Sequence, residues 1–130
     1  MARADILIVE DHPTMREAMR LVLETEGFDI REAADGPSAL AMVRERPPDL
    51  LFLDLNIPGT PGTDVLKEMK SDPATADVRV IIVTATGEEG REFVLSLGAD
   101  EYFTKPFSPL ALLRTVEQVL RLPEPGEDEP

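Results

Sequence analysis

Short, unbroken runs of Ile, Val, Leu and Phe at 6–9, 50–53 and 80–83 constrain this chain more than any other feature. Each run is too short for a helix and too continuous for a strand with one wet face, so each predicts a strand buried on both faces of a parallel sheet. Two weaker runs, 28–33 behind Gly27 and 101–103 behind Gly98, bring the number of expected strands to five.

The intervals between the runs read as helices. Met15, Ala18, Met19 and Val22 keep the i, i+3, i+4, i+7 spacing of an apolar stripe, with Arg16, Glu17, Arg20 and Glu24 elsewhere on the wheel, which predicts a helix over 13–26. Further helices are expected at 38–45 after the Asp35-Gly36 turn, at 63–70 after Gly62, and at 88–97, stopped by Gly98. A fifth is expected at 109–120, with Ser108-Pro109 as N-cap and first turn and with Leu112, Leu113, Val116, Val119 and Leu120 on its buried side. Met42 and Met69, like Met15 and Met19, fall at core spacing. Strict alternation makes this an α/β chain, (βα)5, with a doubly wound parallel sheet covered by helices on both faces through right-handed crossovers. For a strand order 2-1-3-4-5, the crevice where winding reverses lies outside the carboxyl ends of strands one and three.

At 130 residues and 42% hydrophobic content the chain suits one domain. The segment 122–130, LPEPGEDEP, holds almost nothing to bury and reads as an acidic, proline-rich tail or linker, so the domain is expected to span 1–121. No run approaches the roughly 18 apolar residues of a membrane span, and the N-terminus has no signal-peptide core. A soluble, cytoplasmic protein with no membrane partner is the expectation. Without cysteine there is no thiolate metal site and no disulfide. A net charge of −13 argues against direct nucleic-acid binding and favours cations and basic protein surfaces.

Strand one ends in Glu10-Asp11 and strand three in Asp54, so three carboxylates meet at the crevice. Two carboxylates ~5 Å apart repel by roughly 3 kcal/mol at an effective dielectric of about 20, and a cation relieves this. All the candidate ligands are oxygens, which favours a hard ion, Mg2+ or Mn2+, over zinc. His12 has no second histidine nearby and reads as an exposed loop residue rather than a ligand or base. An acidic pair at a strand end is often only a solvated loop, and Asp11 is also a fair N-cap for the first helix. The coincidence of four strand ends weighs against that: strand four ends in Thr84 and strand five in Lys105. A carboxylate that takes a phosphoryl group needs its three equatorial oxygens neutralised, and a metal, an ammonium and a hydroxyl can share that work.

Together, Ile6-Leu7-Ile8-Val9-Glu10-Asp11, Asp54-Leu55-Asn56-Ile57-Pro58-Gly59 with Gly62, Thr84-Ala85, Gly98-Ala99-Asp100-Glu101-Tyr102 and Lys105-Pro106-Phe107 resemble the receiver domains of two-component response regulators over about residues 5–121. The resemblance implies that Asp54 is the phosphoacceptor, taking a phosphoryl group from a sensor histidine kinase or a histidine phosphotransfer protein. It implies that Asp11, Asp54 and the Asn56 backbone carbonyl ligate Mg2+, with Glu10 acting through water. Thr84, Lys105 and the Ala85 N–H would contact the phosphoryl oxygens, and a cis Lys105-Pro106 bond would aim the lysine. Thr84 and Tyr102 match the switch positions that reshape the face made by helix four, strand five and helix five for an output domain or partner, with homodimerisation through that face an option. Such a module is not an enzyme in the usual sense but assists its own phosphorylation and dephosphorylation.

Three features depart from the common pattern: Pro61 before Gly62, Glu10 in place of aspartate, and a stretch from Thr84 to Lys105 about one residue short, with Gly87 and Gly90 weakening the start of helix four. The alternative of a phosphorylation-independent pseudo-receiver is disfavoured because the acid pair, the acceptor and the lysine are all present. A flavodoxin-like carrier is opposed by the negative charge of Asp11 where a cofactor phosphate would lie. A phosphohydrolase is opposed by Asn56 where a second acid would stand.

Overall fold

The computed structural model describes residues 4–85 and 87–120. Its elements alternate throughout: β1 (Asp5–Val9), α1 (Pro13–Thr25), β2 (Asp29–Ala33), α2 (Gly36–Glu45), β3 (Leu50–Leu53), α3 (Gly62–Ser71), β4 (Arg79–Thr84), α4 (Arg91–Ser96), β5 (Glu101–Thr104) and α5 (Pro109–Leu120). The five strands pair in parallel in the order β2-β1-β3-β4-β5, as expected. The proposed tail at 122–130 and the boundary at 121 lie outside the described residues.

The continuous apolar strands follow from burial on both faces. Leu7, Val9, Leu51, Leu53, Val80 and Ile82 point into one core with α2 and α3 residues such as Val43, Val65 and Met69. Their neighbours Ile6, Ile8, Leu50, Phe52, Ile81 and Val83 point into the other, against Met19 and Leu23 of α1 and Leu112 and Val116 of α5. Period-two alternation therefore sends every second residue to a different apolar layer, and no polar position is needed along the central strands. β2, on the sheet edge, carries Asp29, Arg31 and Glu32 because one side of it meets water.

Two expectations are corrected. Helix α4 spans only Arg91–Ser96, not 88–97. Gly87 takes a φ of +84°, a turn conformation that breaks helical winding, and Gly90 becomes the N-cap. Asp11 does not cap α1, because the N-cap is His12 and no side chain caps that terminus. By contrast, Ser108 Oγ accepts from the Ala111 N–H at 3.0 Å, as the Ser-Pro pair suggested.

Candidate functional site

Register brings the carboxyl ends of the central strands level. Val9 pairs with both Ala33 and Leu53, and the ladder runs on as the Glu10 N–H donates to Ala33 O at 3.1 Å and the Asp54 N–H to Val9 O at 3.1 Å. On the other side Lys105 N–H donates to Thr84 O at 2.8 Å, which extends the β4–β5 ladder past Thr104. Residues just past the strands are thus held by backbone bonds before their side chains make any contact.

Glu10 and Asp54 are almost fully buried, at 1% and 5% exposure. The Lys105 ammonium lies between them, donating to Glu10 Oε1 at 2.8 Å and to Asp54 Oδ2 at 2.9 Å. Burial alone would lower the lysine's pKa, but its hydrogen bonds and charge interactions with Glu10 and Asp54 outweigh that and raise it, so the ammonium stays charged. The remaining carboxylate oxygens are also engaged: the Asn56 N–H donates to Asp54 Oδ1 at 3.0 Å and the His12 N–H to Glu10 Oε2 at 3.2 Å. The Lys105-Pro106 bond is cis, as the resemblance implied.

Asp11 stands on the rim with its side chain about 38% exposed. Ligand atoms of Glu10, Asp11 and His12 lie within 4.8 Å of one another. The His12 ring is exposed, as expected, yet its Nδ1 is 3.7 Å from Glu10 and 4.0 Å from Asp11, a proximity that spacing alone did not reveal. Carboxylate oxygens dominate this donor set, and the Glu10–Asp54 pair already accepts a cation between its members, so the residues fit a magnesium ion. Thr84 is fully buried at the end of β4, and Ala85 is exposed beside it.

The segment after Asp54 is held against the scaffold. A Cβ at Gly62 would stand 2.6 Å from Leu55 Cα and 2.8 Å from Asp54 O, so only glycine lets α3 begin so close to the carboxylate's backbone. Pro58 O accepts from the Gly36 N–H at 3.0 Å, tying the loop to the start of α2, and Pro61 is the N-cap of α3. Beside Lys105, the residues His12, Thr14, Met15, Ala18 and Ala85 line an open, mostly apolar hollow of about 450 Å³.

Tyr102 is buried, and its hydroxyl donates to Gly87 O. The Arg91 guanidinium lies over its ring, 5.0 Å from the centroid, and donates to Tyr102 O at 3.3 Å. Although β5 is an edge strand, this aromatic is turned into the core and held from the β4–α4 loop rather than facing water. Sequence reasoning missed Arg16, whose Nη1 donates to Glu10 O at 2.7 Å. Its position on the polar side of α1 marked it only as a surface residue.

The chain matches the response regulator receiver domain family over residues 6–117. It is 41% identical over 130 residues to the phosphate regulon transcriptional regulatory protein PhoB of Pseudomonas aeruginosa, covering 99% of this chain and 57% of that protein. The chain thus spans about half the length of the curated relatives it matches. Among solved structures, the chemotaxis response regulator CheY4 of Vibrio cholerae superposes with a TM-score of 0.85 at 28% identity, covering 92% of this chain and all of that one. The receiver domain of sensor histidine kinase PA1611 from Pseudomonas aeruginosa, described with magnesium in its active site cleft, gives 0.84 at 27% identity, covering 92% and 98%. With this strand order and a family match over residues 6–117, the chain belongs to the response-regulator receiver domains of two-component systems.

Proposed function

We propose that this receiver accepts a phosphoryl group on Asp54 in a Mg2+-dependent reaction and signals by reshaping its α4–β5–α5 face. The observation that carries the reading is the Lys105 ammonium bridging Glu10 and Asp54, which puts a fixed positive charge beside a buried carboxylate at the sheet's switch point. Asp11, Asp54 and the Asn56 carbonyl would hold the metal, with Glu10 acting through water. Bound there, the ion would neutralise the acidic cluster and the incoming phosphoryl oxygens.

The chain's own residues supply the rest. An Asp54 oxygen attacks phosphorus in line as the bond from phosphorus to the donor's histidine nitrogen breaks, and the imidazole leaves with the electron pair and is protonated. Lys105 follows the charge from carboxylate to phosphoryl oxygen, and the Thr84 hydroxyl and Ala85 N–H take the other oxygens. The donor is a phosphohistidine on a sensor histidine kinase or histidine phosphotransfer protein, and the apolar hollow beside Lys105 offers such a protein a seat. Thr84 and Tyr102 form the two-state element, which the new phosphoryl contacts bias. The relatives' description as transcriptional regulators and their greater length support an output unit outside this chain.

Incubation with Mg2+ and acetyl phosphate, read by intact mass, tests this. Wild type should gain one phosphoryl group and Asp54→Asn none. No gain in folded, Mg2+-binding protein, or an equal gain in the variant, refutes the assignment.

A further inference from the structure

We propose that Arg16 is a positioning residue that sets the metal-facing geometry of Glu10 and Asp11, an inference that rests on the magnesium reading above. The need for it arises in the backbone. The β1 ladder ends at Val9 on both sides, and Glu10 donates its N–H to Ala33 O as the last bond toward β2. The Glu10 carbonyl then leaves the sheet where the chain turns into α1, beyond the last strand partner. A buried carbonyl at such a turn needs another donor, and the Arg16 guanidinium supplies it at 2.7 Å.

Arg16 is itself fixed. Its Nε donates to Glu32 Oε1 at 2.9 Å, and Glu32, on β2, is also paired with Arg20. The Arg16 and Glu32 side chains are only 20% and 25% exposed, so the pair is partly shielded from solvent. One planar guanidinium thus bridges the first turn of α1, the exit of β1 and the neighbouring strand, with donors spaced for two acceptors at once. Lysine offers the charge without that fork.

The consequence is specific. Asp11 follows Glu10 directly and its carboxylate is among the most exposed groups of the site, so its aim depends on the backbone that Arg16 holds. Loss of the brace lets the 10–12 turn rotate, and the two acids spend less time converged on one point. Removing an outer contact of this kind typically costs on the order of tenfold in metal affinity.

The test is Mg2+ titration of the full chain by calorimetry, with urea unfolding in metal-free buffer as the second readout. Arg16→Ala should bind Mg2+ about tenfold more weakly. Arg16→Lys should unfold at nearly the wild-type urea concentration, because a cation still faces Glu32, yet retain most of the affinity loss. Arg20→Ala, which removes a partner of the same Glu32 without touching Glu10, should bind within about twofold of wild type. Wild-type affinity in Arg16→Ala, full rescue by lysine, or an equal loss in Arg20→Ala would overturn the brace. If wild type itself binds no Mg2+, or Asp11→Asn binds it unchanged, the magnesium reading fails and takes the brace with it.

Discussion

The two halves of the sheet's carboxyl edge are built from opposite materials. At β1 and β3, Glu10 and Asp54 are buried, their oxygens are engaged by Lys105, Asn56 and His12, and Gly62 wedges α3 against Asp54. Between β4 and β5 the chain passes Gly87 and Gly90 into a helix of six residues, with Val94 its one buried member. A hypothetical Cβ at Gly87 would meet nothing within 4 Å. Phosphoryl chemistry gains from groups that do not reorganise, whereas a readout gains from a segment that moves at low cost. Under the function proposed above, the chemistry would centre on the first half, with Lys105 reaching in from the end of β5, and the signalling movement would fall to the β4–α4 segment.

The largest test compares two phenylalanines. Phe52, fully buried on β3, should lose about 3–5 kcal/mol of stability on replacement by alanine. Phe93, on α4 and 53% exposed, has the Lys67 ammonium 5.9 Å from its ring and should lose less than about 1 kcal/mol. Urea unfolding of both variants measures this, and similar losses would erase the distinction between the halves.

Glycines give the next comparison. Gly62→Ala forces a methyl against backbone atoms and should cost about 1–3 kcal/mol by overpacking. Gly87→Ala meets open space, so only its φ of +84° opposes it, and a cost of about 1–2 kcal/mol is expected. Measured together by urea unfolding, Gly62→Ala should be the more damaging; the reverse order would mean that the positive φ at Gly87 costs more than the packing around Gly62.

How much of this was legible in the sequence follows the same division. β1, β3 and β4 announce themselves because both of their faces are dry, and Glu10, Asp54, Thr84 and Lys105 are then placed by standing at strand ends. β2 had to be inferred from Gly27, since its exposed edge mixes charge with apolar residues. α4 is shorter than its sequence predicts: Glu88 and Glu89 are good helix formers, but the turn at Gly87 and the N-cap at Gly90 start the helix later. Arg16 was illegible because its partners, the Glu10 carbonyl and Glu32, come together only when α1 folds back on β2.

The smallest expected effect compares one chemistry in both halves. Glu32 and Glu88 are each paired with arginine, and each has a lowered pKa. For Glu32, burial pushes the value up, but hydrogen bonds and charge from Arg20 and Arg16 outweigh it. For Glu88, on the exposed β4–α4 turn, the Arg91 hydrogen bond is the main cause, and water screens the pair. A carboxyl whose folded pKa is lowered stabilises the fold above its ordinary pKa, and that contribution is lost as the pH falls through the folded value. Glu32→Gln should therefore cost about 0.5–1 kcal/mol at neutral pH, shrinking toward zero once the medium is more acidic than the ordinary glutamate range. Glu88→Gln should leave the urea midpoint unchanged throughout, because its exposed pair reaches only three residues along the chain and Arg91 keeps its contacts with Tyr102 without it. An acid-dependent loss of stability in Glu88→Gln equal to that in Glu32→Gln would mean that the β4–α4 turn is held as firmly as the β1–β2 side, and the assignment of movement to that half would have to be withdrawn.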